Sequence, residues 1–97
     1  MAIRTSPEAE TELDEIWYYV ATESSSIEVA ERLLDAFRDQ FVLLSKHPRL
    51  GRSRDDLRPG LRSITVGAYA VLYRVEGEDV VILHVLQGRR DIRSFLQ

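Results

Sequence analysis

Leu61-Arg62-Ser63-Ile64-Thr65-Val66-Gly67-Ala68-Tyr69-Ala70-Val71-Leu72-Tyr73-Arg74-Val75-Glu76-Gly77-Glu78-Asp79-Val80-Val81-Ile82-Leu83-His84-Val85-Leu86 is the stretch whose reading decides the fold. β-Branched and aromatic residues dominate it, and such residues suit a pleated, half-buried surface. The pattern predicts three strands, Leu61 to Val66, Ala68 to Val75 and Asp79 to Leu86. Gly67 makes a tight corner between the first two, and Glu76-Gly77-Glu78 makes the following hairpin turn. Side chains alternate along a strand, so Tyr69, Val71, Tyr73 and Val75 share one face of the middle strand, and Ala68, Ala70, Leu72 and Arg74 share the other. Both faces are largely apolar.

Cover for one face lies upstream. Residues 2–5 read as a short strand, and Ser6-Pro7 supplies a capping oxygen followed by proline at the first helical position. In the helix that follows, Ala9, Leu13, Ile16, Trp17 and Val20 form an apolar stripe at the 3.6-residue period, while Glu8, Glu10 and Glu12 complement the positive end of the dipole. A second helix opens at the serine cluster, where Ser25 and Glu28 have capping-box spacing. It carries Ala30, Leu33, Leu34, Phe37, Phe41 and Leu44 on one face and ends before Pro48. The expected architecture is α+β: a short N-terminal strand, a helical hairpin, a three-stranded antiparallel sheet and a short C-terminal helical segment. The hairpin must bury its stripes on one sheet face. The other face is expected to stay open as an interaction surface, unless the loop and the segment Arg90 to Gln97 fold back over it.

A chain of 97 residues, 44% hydrophobic and 30% charged, has room for one modest core. With no repeat, linker or low-complexity tract, residues 1–97 read as one domain. Cysteine is absent, which excludes a disulfide framework and a thiolate metal site. Neither a signal-like apolar segment nor a run of the roughly 20 apolar residues needed to span a membrane is present, so a cytoplasmic location is expected. Charge is distributed unevenly. Residues 1–47 hold ten acids and four bases, whereas residues 48–97 hold six acids and nine bases, all arginine. Arginine's planar fork suits carboxylate and phosphate, which makes the second half the expected contact surface for an anionic group.

Inventory excludes most catalytic constellations. His47 and His84 are the only histidines, and neither has a partner at metal-ligand spacing, so no metal or other cofactor is expected. Asp55 and Asp56 lie among arginines and read as ion-pair or turn residues. No glycine-rich phosphate loop, nucleophile elbow or Cys/His pair occurs. A metal-free RNA-cleaving site is still conceivable, with Arg62, Arg74, Arg89 and Arg90 stabilising charge and Tyr69, Tyr73 or His84 moving protons. Core packing is the competing reading for the tyrosines and for His84.

The runs Gly51 to Ser63, Val66 to Val75 and Val85 to Ile92, with Leu13-Asp14-Glu15-Ile16-Trp17 and Lys46-His47-Pro48-Arg49 upstream, resemble the RelE/ParE toxin superfamily over nearly the whole chain. The resemblance implies a βααβββ fold and a toxin of a type II toxin–antitoxin system, a class tied to plasmid stabilisation. It also implies a ParD-like antitoxin, a ribbon-helix-helix protein whose C-terminal segment wraps the toxin. RelE-like members are ribosome-dependent endoribonucleases; ParE-like members are associated with poisoning of DNA gyrase. In the nuclease pattern an arginine follows the first tyrosine of the middle strand, but here Ala70 follows Tyr69. Lysines usual on the preceding strand are replaced by Arg62, Ser63 and Ile64, and Gln87 stands where many ParE sequences carry histidine; Gly88-Arg89-Arg90 keeps a basic pair. The ParE-like branch is therefore favoured, with the nuclease reading as the alternative. Expected target contacts are Arg58, Arg62, Arg74, Arg89 and Arg90. Expected antitoxin anchors are Trp17, Tyr18, Phe37, Tyr69 and Tyr73, although core packing competes for Trp17 and Phe37. Direct nucleic-acid binding by the toxin alone is not expected.

Overall fold

The computed structural model describes residues 2–88 and 92–95. Its elements run β1 (Ala2–Thr5), α1 (Pro7–Ser24), α2 (Ile27–Lys46), β2 (Arg52–Ser53), β3 (Arg62–Val66), β4 (Tyr69–Glu76), β5 (Asp79–Gln87) and α3 (Ile92–Phe95). All five strands join one sheet in the order β1-β5-β4-β3-β2. The expected three-stranded meander is its centre. β1 adds to it in parallel, Ala2 opposite Asp79 through Thr5 opposite Ile82, and β2 adds a two-residue antiparallel edge on β3. Neither pairing could be read from alternation, because β1 meets β5 across most of the chain and β2, two residues long, is too short to alternate.

Ser6 caps α1 as expected. Its hydroxyl accepts from the Ala9 N–H at 3.0 Å and also donates to the Leu83 carbonyl at 2.8 Å, which ties the helix start to β5. The second cap differs from the expected one by a residue. Ser26, not Ser25, accepts from the Val29 N–H, and Ser25 instead ends α1 in the left-handed region at φ 55°. The turn between helices is so short that one serine must close the first helix and the next open the second.

Ala9, Phe37 and Leu44 of the helices meet Val71, Tyr73, Val80, Ile82 and Val85 in the larger core, and Ala30 is also buried. Burial of large apolar side chains contributes about 1.5–3 kcal/mol each. The sheet's other face is not open, contrary to the expectation from sequence. Leu61, Leu72 and Leu86 are buried there under Leu57, Leu83 and Ile92, contributed by the loop, β5 and the described part of the C-terminal segment. An exposed leucine-rich face is costly enough that nearby apolar side chains close over it.

One irregularity lets β5 serve both cores. Leu72 lies opposite His84 and Tyr73 opposite Ile82, so Leu83 has no opposite residue and forms a bulge. Val80 and Ile82 face the helices before it, and Val85 faces them after it, while Leu83 and Leu86 pack in the smaller cluster.

Candidate functional site

The arginine-bearing loop between α2 and β3 is fastened from beneath. Tyr73 is fully buried, and its hydroxyl donates to the Pro48 carbonyl and accepts from the Gly51 N–H, both at 2.8 Å. Arg62 reaches under the same turn, with Nη1 donating to the Gly51 carbonyl at 2.8 Å and to that of Arg49 at 3.4 Å. Gly51 is required by this closeness: a Cβ there would lie 2.5 Å from the Tyr73 oxygen and 2.9 Å from the Ser63 carbonyl. Burial pushes the Tyr73 phenol above its ordinary range, opposed by the Gly51 hydrogen bond and the Arg62 charge.

Farther along the loop, Arg54 grips both Asp56 oxygens, at 3.2 and 3.3 Å, and Arg93 of α3 approaches Asp56 at 3.7 Å. The Arg54 hydrogen bond holds the Asp56 carboxyl below its usual value. Asp55 accepts from the Gly60 N–H at 2.8 Å, which closes the turn into β3. These two aspartates are thus the ion-pair and turn residues their surroundings suggested.

The five arginines expected at a target surface do not form one equivalent set. Arg58 is exposed on the loop, and Arg74 is exposed on β4 in an ion pair with Glu76. Arg62 is part-buried and engaged with backbone carbonyls. Arg89 and Arg90 lie outside the described residues. Among the expected aromatic anchors, Tyr18 is 69% exposed, and Trp17 is part-buried with its indole N–H donating to Glu31 at 3.1 Å. Tyr69 is part-buried, its ring 5.9 Å from that of Phe37. Phe37 and Tyr73 belong to the core, with 1% and 0% exposure, and present no surface to a partner in this conformation. Their placement follows from periodicity: each sits at the centre of an apolar stripe.

A second feature lies between α1 and the C-terminal half of β5, where a groove of about 820 Å³ is lined by Glu8, Glu12, Glu15, Tyr19, Tyr69 and His84, among others. Glu12 is its organising residue. One of its oxygens accepts from the Val85 N–H at 3.0 Å, and His84 Nδ1 lies 3.2 Å from both. Burial raises the Tyr69 phenol, and Tyr19 adds to the effect. From sequence, Glu12 reads only as a partner of the helix dipole. Its position at the edge of the apolar stripe, between Ala9 and Ile16, is the signal that it faces the sheet. Among the described residues no group of histidines and acids could hold a metal ion, and no helix is long and apolar enough to cross a membrane.

This βααββββα scaffold, counted with its two-residue edge strand, recurs in a solved structure. A solved structure titled "Chromosomal ParDE TA system from P. aeruginosa" aligns with a TM-score of 0.77 at 22% identity, covering 90% of this chain and 95% of that one. Residues 3–92 match the family model described as ParE toxin of type II toxin-antitoxin system, parDE. The chain belongs to the ParE toxin family. It is 46% identical to a Caulobacter vibrioides protein named Toxin ParE3, over 97% of this chain and 92% of the relative. It is also 33% identical to Toxin ParE1 of Mycobacterium tuberculosis, over 90% of this chain and 89% of the relative.

Proposed function

We propose that this ParE-family toxin acts in the cytoplasm as a non-enzymatic inhibitor of DNA gyrase and is neutralised by a ParD-like antitoxin whose C-terminal segment wraps it. The observation that carries the reading is the state of the residues a metal-free RNA-cleaving site would draw on. Ala70 is buried and offers neither charge nor a proton donor, the Tyr73 hydroxyl is engaged by two backbone groups, and Arg62 holds the same turn. Those side chains serve the shape of a surface. Arg58, Arg74, Arg89 and Arg90 are the target contacts in this reading, and Tyr18, Trp17 and Tyr69 are the groups on which an antitoxin segment settles.

The test is gyrase supercoiling and cleavage-complex formation with the purified chain. Inhibition that weakens in Arg58→Ala and Arg74→Ala, with unchanged circular dichroism, is the expected result. Unaffected gyrase at saturating protein would overturn the target assignment, and transcripts cut at the ribosome on induction would favour the nuclease alternative. Growth arrest relieved by co-expression of the antitoxin tests the neutralisation step separately.

A further inference from the structure

β5 is longer than its outer neighbour. Only Asp79 to Ile82 lie beside β1, and from Leu83 to Gln87 no strand among the described residues flanks β5 on the side away from β4. This strand-free edge, where the Ser6 hydroxyl meets the Leu83 carbonyl and Glu12 the Val85 N–H, forms part of the groove beside α1, whose lining includes Val85, Leu86 and Gln87. The Val85 N–H points into the groove, toward Glu12. A residue's N–H and C=O project to the same side of a strand, so the Val85 carbonyl and, two residues on, the Gln87 backbone face the same way. Strand edges of this kind are templates for another extended chain.

The opposite wall defines what kind of chain fits. Glu8, Glu12 and Glu15 recur at i, i+4 and i+7 along α1, a spacing at which like charges repel. Among the described residues no lysine or arginine pairs with them; Glu12 is met by His84 and the Val85 N–H. Tyr19 and Tyr69 add ring surface on which a guanidinium or ammonium group settles. An extended segment laid on the edge would aim alternate side chains at this wall.

We propose that the groove receives an extended segment of the toxin's protein partner, which adds to the β5 edge and carries arginine or lysine at alternate positions toward Glu8 and Glu15. The existence of such a partner rests on the toxin–antitoxin reading; the site and the chemistry of the segment do not.

The probe is a short synthetic peptide alternating valine and arginine, compared with one alternating valine and glutamate and with a form of the first N-methylated at alternate residues. Backbone-amide NMR of the purified chain locates binding. The valine–arginine peptide should shift amides from Leu83 to Gln87, the other two should not bind, and Glu8→Gln with Glu15→Gln should weaken affinity by about tenfold. Equal binding of the N-methylated peptide would reduce the effect to charge alone and overturn the proposal. So would shifts centred on α2 or the arginine loop, or a concentration-dependent dimer that protects the Gln87 amide. If the antitoxin relieves growth arrest while the peptide misses β5, this inference falls and the toxin reading stands. Binding at β5 without growth arrest would sustain the groove and remove the toxin reading instead.

Discussion

Replacing Tyr73 with phenylalanine removes one oxygen and leaves the ring in place, so its effect can be worked from the hydrogen bonds alone. That oxygen serves the Gly51 N–H and the Pro48 carbonyl, both at 2.8 Å. Gly51 is buried, and a buried donor left unpaired costs about 1–3 kcal/mol; losing the bond to Pro48 adds about 1 kcal/mol. The expected destabilisation is therefore about 2–4 kcal/mol, a large part of the roughly 5–15 kcal/mol available to a small domain. Urea unfolding followed by circular dichroism should show a lower midpoint at unchanged slope, a shift of about 1–3 M at ordinary slopes. A companion substitution, Gly51→Ala, should be at least as harmful, since the new methyl meets the Tyr73 oxygen at 2.5 Å, its Cε1 at 2.6 Å and the Ser63 carbonyl at 2.9 Å. The double variant should remain less stable than Tyr73→Phe, because only the first of those contacts is relieved. A change below about 0.5 kcal/mol in Tyr73→Phe would refute the view that this hydroxyl fastens the loop.

Other substitutions probe the junction of α1 with β5. Glu12→Ala should cost about 1–3 kcal/mol by unpairing the Val85 N–H and removing the contact to His84 Nδ1, and amide exchange at Val85 should quicken; an unchanged exchange rate would contradict it. Ser6→Ala should cost about 1–2 kcal/mol, since a helix cap and the bond to the Leu83 carbonyl vanish together, which thermal unfolding can read. Burial raises the Tyr69 and Tyr73 phenols above their ordinary 10.0, so the folded state holds those protons longer than the unfolded chain. The associated stability is complete below about pH 10 and declines as pH rises through the raised values, and phenolate absorbance should show two tyrosines ionising late.

Local structure was largely legible in the chain itself. Ser6-Pro7 announced α1, Pro48 marked the limit of α2, and alternation in Tyr69 to Val75 assigned each side chain to its face. Pairing was harder. β1 contacts β5 across most of the chain, and Glu12 meets His84 seventy-two residues away, relationships that no local period encodes. Apolar alternation shows that the Leu72 face needs cover and leaves the loop and the C-terminal segment as the alternative to an open surface, but Leu57, Leu83 and Ile92 are too dispersed in sequence to declare themselves as the side chains that close it. For the candidate site, residue type located the arginine loop, whereas only the folded structure separates Arg62, engaged beneath it, from Arg58 at its surface.

The step at Leu83 resets the phase of a strand that would otherwise aim its second half the wrong way. Were the strand to run straight on from Ile82 with every residue kept, Val85 would swing toward the loop-side leucines and Leu86 toward the helices, and the Val85 amide would turn away from Glu12, whereas loss of Leu83 would restore regular pairing and leave Val85 where it is. The facing of the second half of β5 is therefore set by its pairing with β4 and not by the count of residues along β5.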